Sequence, residues 1–470
     1  MSARDAIRFT VASVDFFERP VILRMPFRFG VVTMTEAPQL FTTVRIVLPD
    51  GRGAHGMSAF MLAPKWFDKN PALSNDDNFE QLRLAARLAG EAYCSNHRPD
   101  TGWAHHEAHY RSVLQKAADA GLNPLVASFG LAAIDAAALD ALGRAVSRSF
   151  YDLASSNLIG LRASPLVPDL AGFDFDVWLA SLTPASRIAA RHTVGLVDPI
   201  GGHPGQVNDG LPESLTEVIQ AYGHRHFKLK VGGRLDEDLE RLGEIARVLD
   251  QMPDDYLVSL DGNEQYEHVD QVVELWDRLE RMKGLQRLSA AIRFIEQPIM
   301  RKHALSASVQ SLARHRPVII DESDGSFDAF EQARALGYRG VSSKLCKGVY
   351  RSIINAARCS QLNELARRDG QIADYLMSGE DLTNQAGLAV QQDLALANLI
   401  GITHVERNGH HYVKGMAGAP AAEQQAFAAA HPDLYAVDDA VARLRINDGQ
   451  LSIGSLACNG FASAVHPDGR

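Results

Sequence analysis

A lysine pair, three separate carboxylates and a further lysine punctuate the middle of the chain, each at the tail of a short hydrophobic run: HFKLKVGG, YLVSLDGN, IRFIEQP, RPVIIDES and GVSSKLCKG. From Lys230 the successive steps to Asp261, Glu296, Asp321 and Lys344 are 31, 35, 25 and 23 residues, each close to one strand-helix-strand unit. Asp261, Glu296 and Asp321 are the hard oxygen donors that Mg²⁺ prefers, and three carboxylates leave coordination positions for water and substrate oxygens. Brought to one place they repel one another strongly unless a divalent cation neutralises them. Any one of them is as well explained as a surface residue or a helix cap. On three consecutive strand ends the shared metal is the better reading.

Lys228 and Lys230 lie two apart, so on a strand both side chains point to the same side. Lys344 ends the sixth candidate strand, which in a closed eight-stranded barrel faces the second across the mouth. A lysine of ordinary pKa, about 10.4, is a poor base at neutral pH. A divalent cation at about 6 Å repels an ammonium by roughly 5 kcal/mol at an effective dielectric near 20, about 4 pKa units at most. The same cation would hold a substrate carboxylate and stabilise the charge that develops when the adjacent carbon loses its proton. The pattern therefore points to abstraction of a proton α to a carboxylate, with Lys230 and Lys344 as the acid/base pair. For Lys228, balancing the carboxylates stands level with a direct substrate contact.

These residues need elements to hold them. From about residue 187 the text runs strictly strand then helix, with RIAARHTVGLV, HFKLKV, YLVSLD, IRFIEQ, PVIID, GVSSKL, ADYLMSG and ITHVER as eight candidate strands. Eight such units over roughly 230 residues fit a β/α barrel, whose catalytic groups sit at the C-terminal strand ends. No GxGxxG or GxxxxGK[ST] follows a strand, so a dinucleotide or P-loop fold has no fingerprint. Residues 6 to 50 alternate apolar and polar positions in AIRFTVASVDFF, RPVILRMPFRFG and LFTTVRIVLPDG, a β-meander, and residues 70 to 150 turn helical. The expected architecture is a modified TIM-type β/α barrel over 186–415, an α+β N-terminal capping domain over 1–165, and a tail over 416–470 whose LRINDGQLSIGSLACNG hairpin returns to the capping domain.

The motifs KLKVGG, LDGN, FIEQP, IIDES and SSKLCKG, in this order, resemble the enolase superfamily and within it the muconate-lactonizing-enzyme subgroup. The resemblance implies Mg²⁺, with Mn²⁺ as a substitute, on Asp261, Glu296 and Asp321, and Lys230 with Lys344 as the catalytic pair. It implies that Lys228 assists at the substrate carboxylate and that Asn263 and Glu322 back the metal ligands. It extends to RMPFRFGVVTMTEAPQLFTTVRI, similar to a first-domain meander whose mobile loop closes the barrel mouth, and to assembly as a homo-oligomer. The lysine on the sixth strand separates the chain from the mandelate-racemase type, which uses a His-Asp pair on later strands. The subgroup's dipeptide epimerases carry Asp-x-Asp on the eighth strand where this chain has His404-Val405-Glu406, which argues against a dipeptide substrate. The first domain carries extra text around MLAPKWFDKNPALSNDD.

Other features admit two readings each. His404 and Glu406 could line the pocket or belong, with His410 and His411, to an ordinary loop; the spacing is no zinc motif. Glu380 or Asp381 of SGEDLTN reaches the mouth or, with Thr383, caps the next helix, the cap being favoured. Arg24, Phe27, Arg28 and Phe29 meet a substrate tail or build a half-buried hairpin. The chain has 47 basic and 57 acidic residues, a net of −10, which weighs against nucleic acid or an anionic membrane. Four scattered cysteines and a charged N-terminal stretch fit a cytoplasmic protein. QAGLAVQQDLALANLIG, broken by Gln391, Gln392 and Asp393, reads as an amphipathic barrel helix and not a membrane span. The expected function is racemisation or epimerisation of a small carboxylate through an enediolate. Cycloisomerisation and syn β-elimination use the same scaffold, and a non-catalytic metal-binding scaffold is the remote alternative.

Overall fold

The computed structural model describes residues 6–29, 32–202 and 207–468. The first five residues and Gly30 and Val31, which the mobile-loop expectation includes, lie outside them. Strand β1 (Thr10–Phe29) pairs antiparallel with β2 (Val32–Val47), and β2 with β3 (Gly53–Met61). The first two runs read as separate strands are thus one strand of 20 residues passing through Pro20. Pro20 sits opposite Pro38, and β1 is an edge, so the missing N–H faces no partner on its open side. Pro38 in turn precedes Gln39, where pairing with β3 begins. Strand β3 was not expected, because its small residues mask the alternation. Gly56 shows why they are small: a Cβ there would lie 2.1 Å from the backbone nitrogen of Ala141 on the facing helix.

Three helices cover this sheet: α1 (Asn75–Ser95), started by a Ser74–Asp77 capping box, α2 (Gly102–Asp119), capped by Thr101, and α3 (Pro124–Ala145), capped by Asn123. Among the described residues α3 is the helix long and apolar enough to cross a membrane, and it is buried throughout. It packs on β2, β3, α1 and α2 at once, which accounts for an apolar surface on every side.

Eight parallel strands form the barrel: β4 (Arg187–Val194), β5 (His226–Lys230), β6 (Leu257–Asp261), β7 (Ile292–Glu296), β8 (Val318–Ile320), β9 (Gly340–Ser343), β10 (Leu376–Gly379) and β11 (His404–Glu406). Each pairs with the next, and β11 closes on β4 through Val405 opposite Ala190. Helix Leu388–Leu399 is buried on all sides, Gln391 and Gln392 included, and is not amphipathic as expected. Its outward face meets the capping domain, where the Gln392 amide donates to the Met57 carbonyl at 2.8 Å.

The tail departs from expectation in one respect. After β12 (Tyr435–Asp438) and β13 (Val441–Leu444), the hairpin of β14 (Ile446–Asn447) and β15 (Gln450–Ser452) pairs antiparallel with barrel strand β4, not with the meander. The residues beyond it reach the capping domain, where Phe461 stacks on Phe150 with centroids 3.9 Å apart and its N–H donates to Asp140 of α3, and ahead of the hairpin Glu423 accepts two bonds from Arg19 of β1 at 2.8 Å each. One continuous apolar core joins the meander and α1–α3 to barrel residues Ile188, Val349, Leu394 and Val405. A second fills the other half of the barrel, around Leu229, Leu260, Ile295, Ile320 and Val341 and their outer helices.

Candidate active site

Register aligns the charged strand ends. Lys230 sits opposite Asp261, and Asp261 opposite Glu296, on three neighbouring strands, with Asp321 one residue past β8 and Lys344 one past β9. Strands β5 and β9 are four apart in an eight-stranded ring, so Lys230 and Lys344 face each other across the mouth. Both border one cavity, as do Lys228, Asn263 and Glu406. His404 is not on that wall. It lies two residues deeper on β11 than Glu406, because a strand advances about 3.3 Å per residue, and there its Nδ1 accepts from Arg191 at 2.9 Å and its ring stacks on His226.

Each lysine is tied to a carboxylate. The Lys230 ammonium donates to Asp261 at 2.5 Å, and that of Lys344 donates to Asp321. Burial alone would depress the Lys344 pKa, but Asp321 beside it outweighs that and holds the pKa well above the usual lysine range. Burial likewise works against the Asp321 carboxylate, and Lys344 and Lys347 override it and keep the acid ionised. Lys228 lies at the centre of the cluster, within 2.9 Å of Asp261 and donating to Glu296 at 3.0 Å, Glu380 at 2.5 Å and Glu406 at 3.2 Å. Glu380 also pairs with Arg191. The expected capping role for Glu380 is therefore replaced by a place in the barrel interior; helix Leu388–Leu399 begins later, with Gly387 before it and no side-chain cap.

The charges do not cancel. Four cations, Lys228, Lys230, Lys344 and Arg191, face five carboxylates, Asp261, Glu296, Asp321, Glu380 and Glu406, and Lys347, 3.6 Å from Asp321, adds one charge of each sign with its closer partner Asp324 at 3.0 Å. Glu296 bears the surplus: burial, then Asp261 and Glu380, push its pKa well above the carboxylate range. As the side chains stand, the acids close on lysines, and among the described residues no three acid, imidazole or thiol groups gather round one point. The donor set nonetheless fits a hard divalent cation. It offers oxygens on adjacent strand ends with negative charge to spare, and two buried oxygens alongside, Asn263 Oδ1 and Glu322 Oε2, have no hydrogen-bond partner. Asn263 steadies this region by donating its N–H to Asp261 at 2.8 Å and its amide to Glu322 at 3.3 Å.

The roof comes from the capping domain. Phe27, Phe29, Met34, Ala63 and Trp66 border the cavity, so the aromatic pair of the hairpin faces the mouth. Arg24 instead clamps the hairpin down, donating to Asp209 at 2.6 and 2.8 Å and to the carbonyls of Leu211, Pro212 and His411. Sequence reasoning missed Trp66, Lys69, Glu264, Arg301 and Lys347. Lys69 donates to the Asn263 carbonyl at 2.8 Å and pairs with Glu264 at 2.6 Å, while Arg301 binds Glu264 and the carbonyls of Trp66 and Phe67 at 2.8 Å each. The run KWFDK in the extra first-domain text carried the one available signal, two lysines flanking an aromatic pair.

Residues 210–361 match the family described as Enolase C-terminal domain-like. A chloromuconate cycloisomerase of Cupriavidus necator is 32% identical over 139 residues, 28% of this chain and 34% of that enzyme, and one of Delftia acidovorans matches equally. The chain thus spans about a third of the length of these relatives. Among solved structures, muconate lactonizing enzyme from Pseudomonas fluorescens, complexed with muconolactone, superposes with a TM-score of 0.58 at 16% identity, over 98% of this chain and 97% of that one. Dipeptide epimerase from Enterococcus faecalis, complexed with Mg and L-Leu-L-Tyr, gives 0.57 at 15%, over 96% and 99%. At these identities the likeness is one of fold.

Proposed function

We propose, for a chain whose residues 210–361 belong to the Enolase C-terminal domain-like family, that it removes a proton α to a substrate carboxylate and returns one from the opposite face, as a racemase or epimerase does. One observation carries this reading: Lys230 and Lys344 border the same cavity from opposite sides of the barrel, each on its own carboxylate. One amine would take the proton as the C–H bond breaks, and the opposed ammonium would deliver a proton to the other face of the planar carbon. Asp261, Glu296 and Asp321 would hold Mg²⁺, which supplies positive charge to the carboxylate oxygens as negative charge develops there. Lys228, enclosed by four carboxylates, would act chiefly by setting the charge of the cluster, and Asn263 by fixing Asp261 and Glu322.

A second reading, cycloisomerisation or syn elimination on the same lysines, is favoured by the likeness to the chloromuconate cycloisomerases. Both begin with or pass through the same α-carbanion chemistry, and they part at the product. Solvent-deuterium exchange followed by NMR, with Mg²⁺ and a panel of single-enantiomer carboxylates, separates them. Exchange with inversion supports racemisation. Loss of water or ring closure without inversion supports the second reading. No exchange on any acid, together with no Mg²⁺ binding, would leave a binding scaffold.

A further inference from the structure

The cavity has two ends of different chemistry. Its floor, from the barrel, holds Lys228, Lys230, Lys344, Asn263 and Glu406, while every lining residue from the capping domain is apolar: Phe27, Phe29, Met34, Ala63 and Trp66. Leu382 extends the apolar surface on the barrel side. The rings sit directly against the reacting groups. Lys344 Nζ is 4.3 Å from the Trp66 ring centroid and Lys230 Nζ is 6.0 Å from that of Phe27. A substrate α-carbon placed between the two amines therefore has aromatic surface immediately above it.

That roof is held in place. Phe27 stacks on Tyr412 at 4.3 Å and leans on Phe29 at 5.2 Å. The Trp66 carbonyl is bound by Arg301, itself fixed by two bonds to Glu264, which Lys69 also engages.

The charges on the lining leave no room for a second anionic group. Lys228, Lys230 and Lys344 already carry carboxylate partners, and no further cation lines the cavity among the described residues. A second substrate carboxylate would lie against the rings, Asp381 and Glu406, with only the neutral Thr383 and Asn408 to replace part of its hydration. A substrate ammonium fares no better. Asp381 accepts from the Asn384 and Gly409 N–H groups, and Glu406 from Lys228, Thr193 and the Asp381 N–H.

We propose that the substrate is a monocarboxylate whose non-reacting end is an uncharged, ring-sized apolar group, held between Trp66 and the Phe27–Phe29 pair. The inference rests on the reaction proposed above. It differs from a diacid of the muconate kind, which brings two carboxylates.

Binding is measured apart from turnover, by calorimetric titration of the whole protein with Mg²⁺ present, using 2-methyl-2-phenylpropanoate and 2,2,3,3-tetramethylsuccinate, in which every α-carbon is quaternary and carries no proton. The phenyl acid is expected to bind at least tenfold tighter. Trp66→Ala should erase most of that preference, and Leu382→Lys, which adds a cation to the apolar end, should narrow or reverse it, with circular dichroism checking that both variants are folded. Equal or tighter binding of the diacid by the wild type, or no binding of either acid, overturns the inference. A preserved phenyl preference beside an absence of α-proton exchange on every acid would support the apolar subsite and reject the reaction instead. Exchange that is fastest on diacids would reject the subsite and keep the reaction.

Discussion

The ammonium of Lys228 lies 2.5 Å from the Glu380 carboxylate, and this contact links strand β5 to the end of β10 across the barrel interior. Lys228 also touches Asp261, Glu296 and Glu406, so removing its charge leaves four buried carboxylates with one cation fewer. Lys228→Met should cost about 3–5 kcal/mol of stability, the usual loss when one partner of a buried ion pair is deleted. Adding Glu380→Gln should recover part of it. Urea denaturation measures both, and a loss below about 1 kcal/mol would mean that Lys228 is not the centre of the cluster's charge balance.

Lys230 and Lys344 act in opposite directions in the proposed reaction, so their single variants should differ in kind. Lys230→Ala and Lys344→Ala are each expected to lower α-proton exchange by about 10²–10⁴. Each should lose it chiefly with one enantiomer, and neither should invert. Loss of the same enantiomer in both variants would point to a single base, as cycloisomerisation requires.

The surplus of negative charge among the strand-end acids should make the protein bind Mg²⁺ and gain stability from it. At a hundredfold excess over the dissociation constant the gain is about 2.7 kcal/mol. Thermal melts with and without EDTA read it, and Glu296→Gln, which removes the surplus, should abolish it along with exchange activity. Melts indifferent to Mg²⁺ in the wild type would remove the metal from the mechanism.

His192 of β4, His224 and His411 are buried and His410 is half-buried beside them; His192 is 5.5 Å from His224 and 4.9 Å from His411, ring to ring. Burial pushes the His224 pKa down to about 4 and that of His411 to about 3, and takes His192 and His410 well below the ordinary range; neighbouring imidazoles add to the effect for His192, and Arg443 and Arg24, ahead of the imidazoles, for His410 and His411 respectively. Because the folded state holds them neutral, their contribution is complete above the unfolded pKa near 6.5 and is lost as pH falls toward 4, by up to about 1.4 kcal/mol per pH unit for each. Asp381, pushed up to about 6 by burial, opposes this, as do Glu296, Glu322, Asp198 and Asp238, which burial also raises, whereas the lowered acids Asp261, Asp321 and Glu406 act in the same direction as the histidines. Melting temperature should therefore drop between pH 6.5 and 4, and His411→Phe should shallow the slope. A flat profile down to pH 5 would contradict the assignment.

The barrel was legible because its strands are unbroken apolar runs that end in charge, as VIID and FIE do, and because the interval between them repeats. Local alternation was a weaker guide in the meander, where it cut β1 in two at Pro20 and passed over β3. The acids and lysines that end strands could be named from position, since register alone brings Lys230, Asp261 and Glu296 level. Lys69 could not: its partner Asn263 lies 194 residues away, and two lysines flanking an aromatic pair in KWFDK do not point to it. Glu380 was misjudged for a related reason, because SGEDLTN has the composition of a helix start while its partner Lys228 is 152 residues upstream.

One apolar core runs from the N-terminal meander through α3 into the wall formed by β4, β11 and helix Leu388–Leu399. Cutting the chain between cap and barrel would strip that wall of its outer layer and leave Leu388, Val390 and Leu394 facing water. The barrel is consequently not an exchangeable cassette. Its closing seam and its substrate chamber depend on the same N-terminal polypeptide, so a graft that swapped the roof to change selectivity would also have to rebuild the staves on which the barrel closes.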